Sequence, residues 1–171
     1  SFAGGNILAI NGNYGVYQVT DGGKIYLSAG NILLGQGTSS DNTLFVGGSG
    51  ASSYFSGNLI QIPQTTGTGG RNGISVTNGT LDCFGGINLG RTTASQNFVR
   101  VFANGLVNMN DTSFVIADGG ASIGNFVTID QGVMTNVNGI TIGNAAGANS
   151  NSMSIINGGQ LWNRGALTVG N

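Results

Sequence analysis

Any chemistry this chain performs must come from few side chains. Its charged complement is six aspartates (Asp21, Asp41, Asp82, Asp111, Asp118, Asp130) and five cations (Lys24, Arg71, Arg91, Arg100, Arg164), with no glutamate and no histidine. Two carboxylates a few ångströms apart could cleave a glycosidic bond, one as acid and the other as base or nucleophile. Along the chain the aspartates fall in different corners and loops, and Asp111 and Asp118 stand on either side of the segment around Phe114 to Ile116. No imidazole is present to act as a base near neutral pH. The sequence therefore predicts no catalytic residue, and a polysaccharide-active enzyme is a remote alternative.

Metal and cofactor chemistry are equally unsupported. Structural zinc needs clustered Cys or His, and Cys83 stands alone. Repeat-type calcium sites need an aspartate at a fixed period, which is missing. The Gly-Gly pairs precede no helical pattern that would turn an N-terminus toward a phosphate. Cys83 reads as small buried filler. The aromatics could line a sugar-binding stripe but read mostly as core or corner packing, with Tyr17 and Tyr26 as outward candidates. A net charge of −1 leaves nothing to neutralise phosphates, so no nucleic-acid partner is expected. Apolar runs of four or five residues are too short for a membrane helix or an outer-membrane strand, so no membrane insertion is expected.

The elements that must position these residues recur about every 27 residues. Gly35, Gly90, Gly143 and Gly170 each close a segment of strand-like residues, and Pro63 and Ala117 fall where the period places two more closures. Within a repeat, Ile74-Ser75-Val76 alternates as a strand with one buried face does. Asn78-Gly79 supplies a turn, since both residues tolerate positive φ, Leu81-Asp82-Cys83 a second strand, Gly85-Gly86 a corner, and Ile87-Asn88-Leu89 a third strand. The pattern predicts an all-β, single-stranded parallel β-helix (β-solenoid) in one domain, 1–171. It has about six rungs of about 27 residues with three short strands each. The rungs are 12–35, 42–63, 72–90, 97–117, 125–143 and 151–170, with a partial rung at 5–11. At about 4.8 Å per rung the stack is about 29 Å long.

Asn42, Asn72, Asn97, Asn125 and Asn151 each stand two residues before the first apolar residue of a rung. Stacked in register, they would form an asparagine ladder that passes amide hydrogen bonds from rung to rung. The sequons at Asn78 and Asn110 read as turn chemistry. The start at Ser1-Phe2-Ala3 reads as that of a mature or trimmed product.

The segments Ile140-Thr141-Ile142-Gly143-Asn144, Met153-Ser154-Ile155-Ile156-Asn157-Gly158-Gly159 and Leu167-Thr168-Val169-Gly170-Asn171 resemble the repeats of bacterial autotransporter-passenger-like β-helix proteins. The resemblance implies an exported, right-handed β-helix at the bacterial cell surface or outside the cell, and it carries no catalytic residue.

Solenoid ends expose strand edges and core unless capped. Residues 5–11 resemble a lone third strand, and the last rung carries no capping pattern. The sequence therefore predicts a structural subunit that stacks head to tail with itself into a filament. The predicted subunit interface is Ile7, Leu8, Ile10, Val16 and Val19 at one end, and Met153, Ile155, Leu161, Trp162, Leu167 and Val169 at the other. The alternative is a fragment of a surface adhesin. Its loops at 36–41, 63–71, 91–96, 118–124 and 144–150 would contact a cell-surface polysaccharide or a host surface.

Overall fold

The computed structural model describes residues 6–10, 12–27, 29–63 and 69–170, with the side chains of 6–9 outside that description. Seventeen strands and no helix make up the described residues. In chain order they are β1 (Asn6–Ile10), β2 (Val16–Thr20), β3 (Lys24–Tyr26), β4 (Asn31–Leu34), β5 (Thr43–Gly47), β6 (Ser53–Gly57), β7 (Ile60–Ile62), β8 (Gly73–Thr77) and β9 (Gly79–Cys83). There follow β10 (Ile87–Leu89), β11 (Phe98–Val101), β12 (Leu106–Ile116), β13 (Phe126–Asp130), β14 (Val133–Ile142), β15 (Ser152–Ile156), β16 (Gln160–Asn163) and β17 (Leu167–Val169).

All pairings between them are parallel, and each strand pairs with those one rung before and after it. The chain is thus a β-solenoid, as its period predicts. Face one is a six-stranded sheet, β2-β5-β8-β11-β13-β15. Face two runs β3-β6-β9 and continues through the first halves of β12 and β14 to β16; face three runs β1-β4-β7-β10 and continues through their second halves to β17.

Because side chains alternate across a strand, register stacks like positions into columns. On face one, Tyr17, Leu44, Ile74, Val99, Val127 and Met153 form one inward column, and Val19, Val46, Val76, Val101, Ile129 and Ile155 the other. Face three contributes Ile32, Ile60, Ile87, Phe114, Ile140 and Leu167 in one column. In the middle rungs these side chains are almost wholly buried, each contributing roughly 1.5–3 kcal/mol of apolar transfer. No rung buries its apolar residues without a neighbour.

The structure departs from the sequence reading in several places. Rungs four and five do not have three separate strands. β12 and β14 run through the corner between faces two and three: Asn110 (φ 47°), Asp111 (φ 63°) and Asn136 (φ 53°) turn the chain there, and the pairing shifts register and resumes at Thr112↔Val137. In the Asn78-Gly79 turn only Asn78 has positive φ (49°), and Gly79 already belongs to β9. Tyr17 is not outward: it occupies an inward column and packs edge-on against Phe55. Phe45, Phe98 and Phe126 are not core but lie on the outer side of face one, alternating with buried neighbours.

Candidate functional site

The five aligned asparagines form a continuous chain of amides. The Oδ1 of Asn72 accepts from both the backbone N–H (3.1 Å) and Nδ2 (2.9 Å) of Asn42. Asn97 accepts likewise from Asn72, Asn125 from Asn97 and Asn151 from Asn125. Nδ2 also donates to the loops: to the Gly12 carbonyl from Asn42, the Ser39 carbonyl from Asn72, the Ser122 hydroxyl (2.8 Å) and Ala94 carbonyl (3.3 Å) from Asn125, and the Ser122 carbonyl from Asn151, which ends the amide chain. Asn42, Asn72, Asn97 and Asn125 are fully buried, and no buried polar side-chain atom is unsatisfied among the described residues. The first rung holds Gly15 at this position, and its N–H donates to Asn42 Oδ1 at 2.9 Å.

Two sets of left-handed residues shape this corner. The residue before each ladder position has positive φ: Tyr14, Asp41, Arg71, Gln96, Gly124 and Ser150, all between 56° and 67°. The residue closing each rung does so too at Gly35 (74°), Gly90 (76°), Ala117 (63°), Gly143 (74°) and Gly170 (76°). A Cβ on Gly35 would stand 2.5 Å from Asn72 Nδ2, and one on Gly90 2.4 Å from Asn125 Nδ2. The closing glycines therefore make room for the amide chain as well as ending the strand.

All six aspartates and three of the five cations are engaged between rungs. Asp41 accepts from Arg71 Nε (2.6 Å) and Nη2 (2.7 Å), and this charged hydrogen bonding holds the Asp41 carboxyl below its usual range. Arg91 lies 3.4 Å from Asp118, and Arg164 pairs with Asp111. Asp82 accepts from the Tyr54 hydroxyl (2.5 Å) and Asn108 Nδ2 (2.9 Å). Asp21 accepts from Gly50 N–H and Asp130 from Asn157. Burial pushes the Cys83 thiol up to about 11, and the thiol donates toward the carbonyls of Asn58 and Gly86. No group of three or more metal-ligating side chains occurs among the described residues.

The predicted interface residues lie at two opposite ends of the stack. Met153, Ile155, Leu161, Leu167 and Val169 occupy inward columns of the last rung. Val19 and Ile10 do so at the other end, Val19 buried and Ile10 packed against the core. β1 pairs with β4 through Leu8↔Ile32 and Ile10↔Leu34, as the lone-strand reading expects; the side chains of Ile7 and Leu8 lie outside the described residues. Two of the predicted interface residues lie outside the inward columns. Val16 and Trp162 alternate with inward residues and point outward, 58% and 62% exposed. Alternation in their strands carries that signal: Tyr17 and Val19 fix the phase of β2, and Leu161 that of β16.

The sequence reading missed the groove on the outer side of face one, where Asp41, Arg71, Gln96, Phe98, Arg100 and Phe126 meet. Its signal was register: Phe98 and Phe126 are Cα partners on adjacent strands. Comparison with protein-family models, with curated proteins and with solved structures finds no match.

Proposed function

We propose that the chain is a structural, non-enzymatic β-solenoid of the bacterial cell exterior, and that it stacks head to tail into a filament or surface fibre. One observation carries the reading. In the last rung Ile155 and Leu167 are 46% and 61% exposed, whereas their column neighbours one rung earlier, Ile129 and Ile140, are 0% and 1% exposed; Val169 is 72% exposed beside a half-buried Ile142. A further rung would bury this apolar surface and pair the open edges of β15, β16 and β17. The bacterial and extracellular assignment is supported by the low charge, the Asn, Gly, Ser and Thr richness, and the autotransporter-passenger-like segments. The joint is weaker than an internal step, because Gly15 carries no side chain to accept from Asn151 and the amide chain stops there. β1 also precedes the first full rung. Direct stacking of β2 and β3 on β15 and β16 therefore has β17 of one copy replace β1 of the next.

Electron microscopy of the purified chain at neutral pH tests this. Unbranched fibres with an axial repeat near or modestly above about 29 Å are expected. Discrete rods at high concentration would sink it, and would leave the second reading, an adhesin segment. That reading is favoured by the groove of about 520 Å³ that runs beside the loop corner.

A further inference from the structure

The groove lies beside the left-handed row Asp41, Arg71, Gln96 and Gly124, and spans four rungs. Three rung steps make it about 14 Å long. Gly73, the Cα partner of Phe98, leaves room for its ring: a Cβ there would stand 2.6 Å from it. Phe98 and Phe126 stack with centroids 6.0 Å apart at 22°. The Arg100 guanidinium lies over both, 4.4 Å from the Phe98 centroid and 5.2 Å from that of Phe126.

Arg100 differs from the other arginines. Arg71, Arg91 and Arg164 each have a carboxylate within 4.0 Å; among the described residues Arg100 has none. The aromatic faces fix the plane of its guanidinium and leave its N–H edge to bind elsewhere. Both oxygens of Asp41 are taken by Arg71, so the groove carries an excess positive charge on a chain whose net charge is −1.

We infer that this groove binds a carboxylate-bearing saccharide chain, with the Arg100 fork taking the carboxylate. A planar guanidinium edge matches a carboxylate in a bidentate pair. The Thr43 hydroxyl and Gln96 amide in the same groove donate and accept, as sugar hydroxyls require. A peptide is disfavoured as the occupant. β8 and β11 are each paired on both sides, so the floor has no free strand edge for an added strand.

The test is titration by NMR or calorimetry of the full chain with a uronic-acid tetrasaccharide, its methyl-esterified form, and a glutamate oligopeptide of equal charge. The acid saccharide is expected to bind, with affinity at least tenfold weaker on esterification and in Arg100→Gln, and intermediate in Arg100→Lys. Lys24→Gln, on face two, is expected to change nothing. Circular dichroism and melting separate lost binding from lost fold; if Arg100→Gln is unfolded, the esterified saccharide decides alone. Equal binding of the ester, equal or tighter binding of the peptide, or no binding at millimolar saccharide would overturn the proposal. The groove lies on the flank, so binding by the Val169→Lys chain, built to block end stacking, keeps this outcome separate from that of the filament.

Discussion

Asn97 shows how much one side chain does here. Its Oδ1 receives two donors from Asn72, and its Nδ2 supplies one to Asn125. Asn97→Ala leaves a buried backbone N–H without an acceptor, which costs about 2–4 kcal/mol by urea unfolding. Asn97→Asp keeps the acceptor but sets a carboxylate oxygen against the Asn125 amide oxygen. The charged form is disfavoured in the fold, so the introduced acid has a raised pKa. Sign then follows: the variant is most stable below the ordinary aspartate range and weakens as pH rises through the raised value, read as melting temperature from pH 3 to 7. Cys83 gives a second residue-scale test. Its thiol titrates at about 11 rather than the ordinary 9.0, so the folded chain resists thiol reagents at pH 8 and reacts on unfolding. Stability is full below pH 9 and falls by roughly 2–3 kcal/mol toward pH 11; Cys83→Ala should flatten that alkaline slope. The ladder was legible because five identical residues share one offset. The ion pairs were not, because Arg164 meets Asp111 across two rungs and only the corner geometry brings them together.

At the scale of the element, the rung closures separate backbone strain from packing. Gly90 and Gly170 share a φ of 76°, yet a Cβ at Gly90 meets Asn125 and Ser122 within 2.6 Å, while one at Gly170 meets nothing within 4 Å. Gly170→Ala should cost about 1–2 kcal/mol, the left-handed penalty alone. Gly90→Ala should cost more by at least about 1 kcal/mol, and Gly90→Ala combined with Asn125→Ala should be non-additive, measured in a double-mutant cycle. Strands were legible wherever apolar residues alternate over three positions. The fused corners of β12 and β14 were not, since Asn110, Asp111 and Asn136 have the composition of an ordinary loop, and the strands run through them with a shift of register. Tyr17 lies inward because it shares the phase of Val19, two residues on in β2.

At the scale of the molecule, the proposed head-to-tail contact rests on the exposed apolar columns of the last rung. Val169→Lys and Leu167→Lys place an ammonium where a single chain already meets water, so folding is little affected. A buried joint would have to desolvate that charge. Sedimentation should therefore show the variants as single rods under conditions where the parent assembles; assembly undiminished by both would exclude this end as the contact. Parallel stacking and the inward columns followed from the period. The groove did not, because it is made by side chains from four rungs whose outward neighbours no single repeat specifies.

Every backbone hydrogen bond between rungs lies along the stack, so tension between its two ends opens them a strand at a time instead of shearing a sheet at once. Each released rung of about 27 residues would pay out about 90 Å of extended chain against a resting height of about 4.8 Å. A solenoid pulled this way would be short and stiff at rest and would lengthen rung by rung under load.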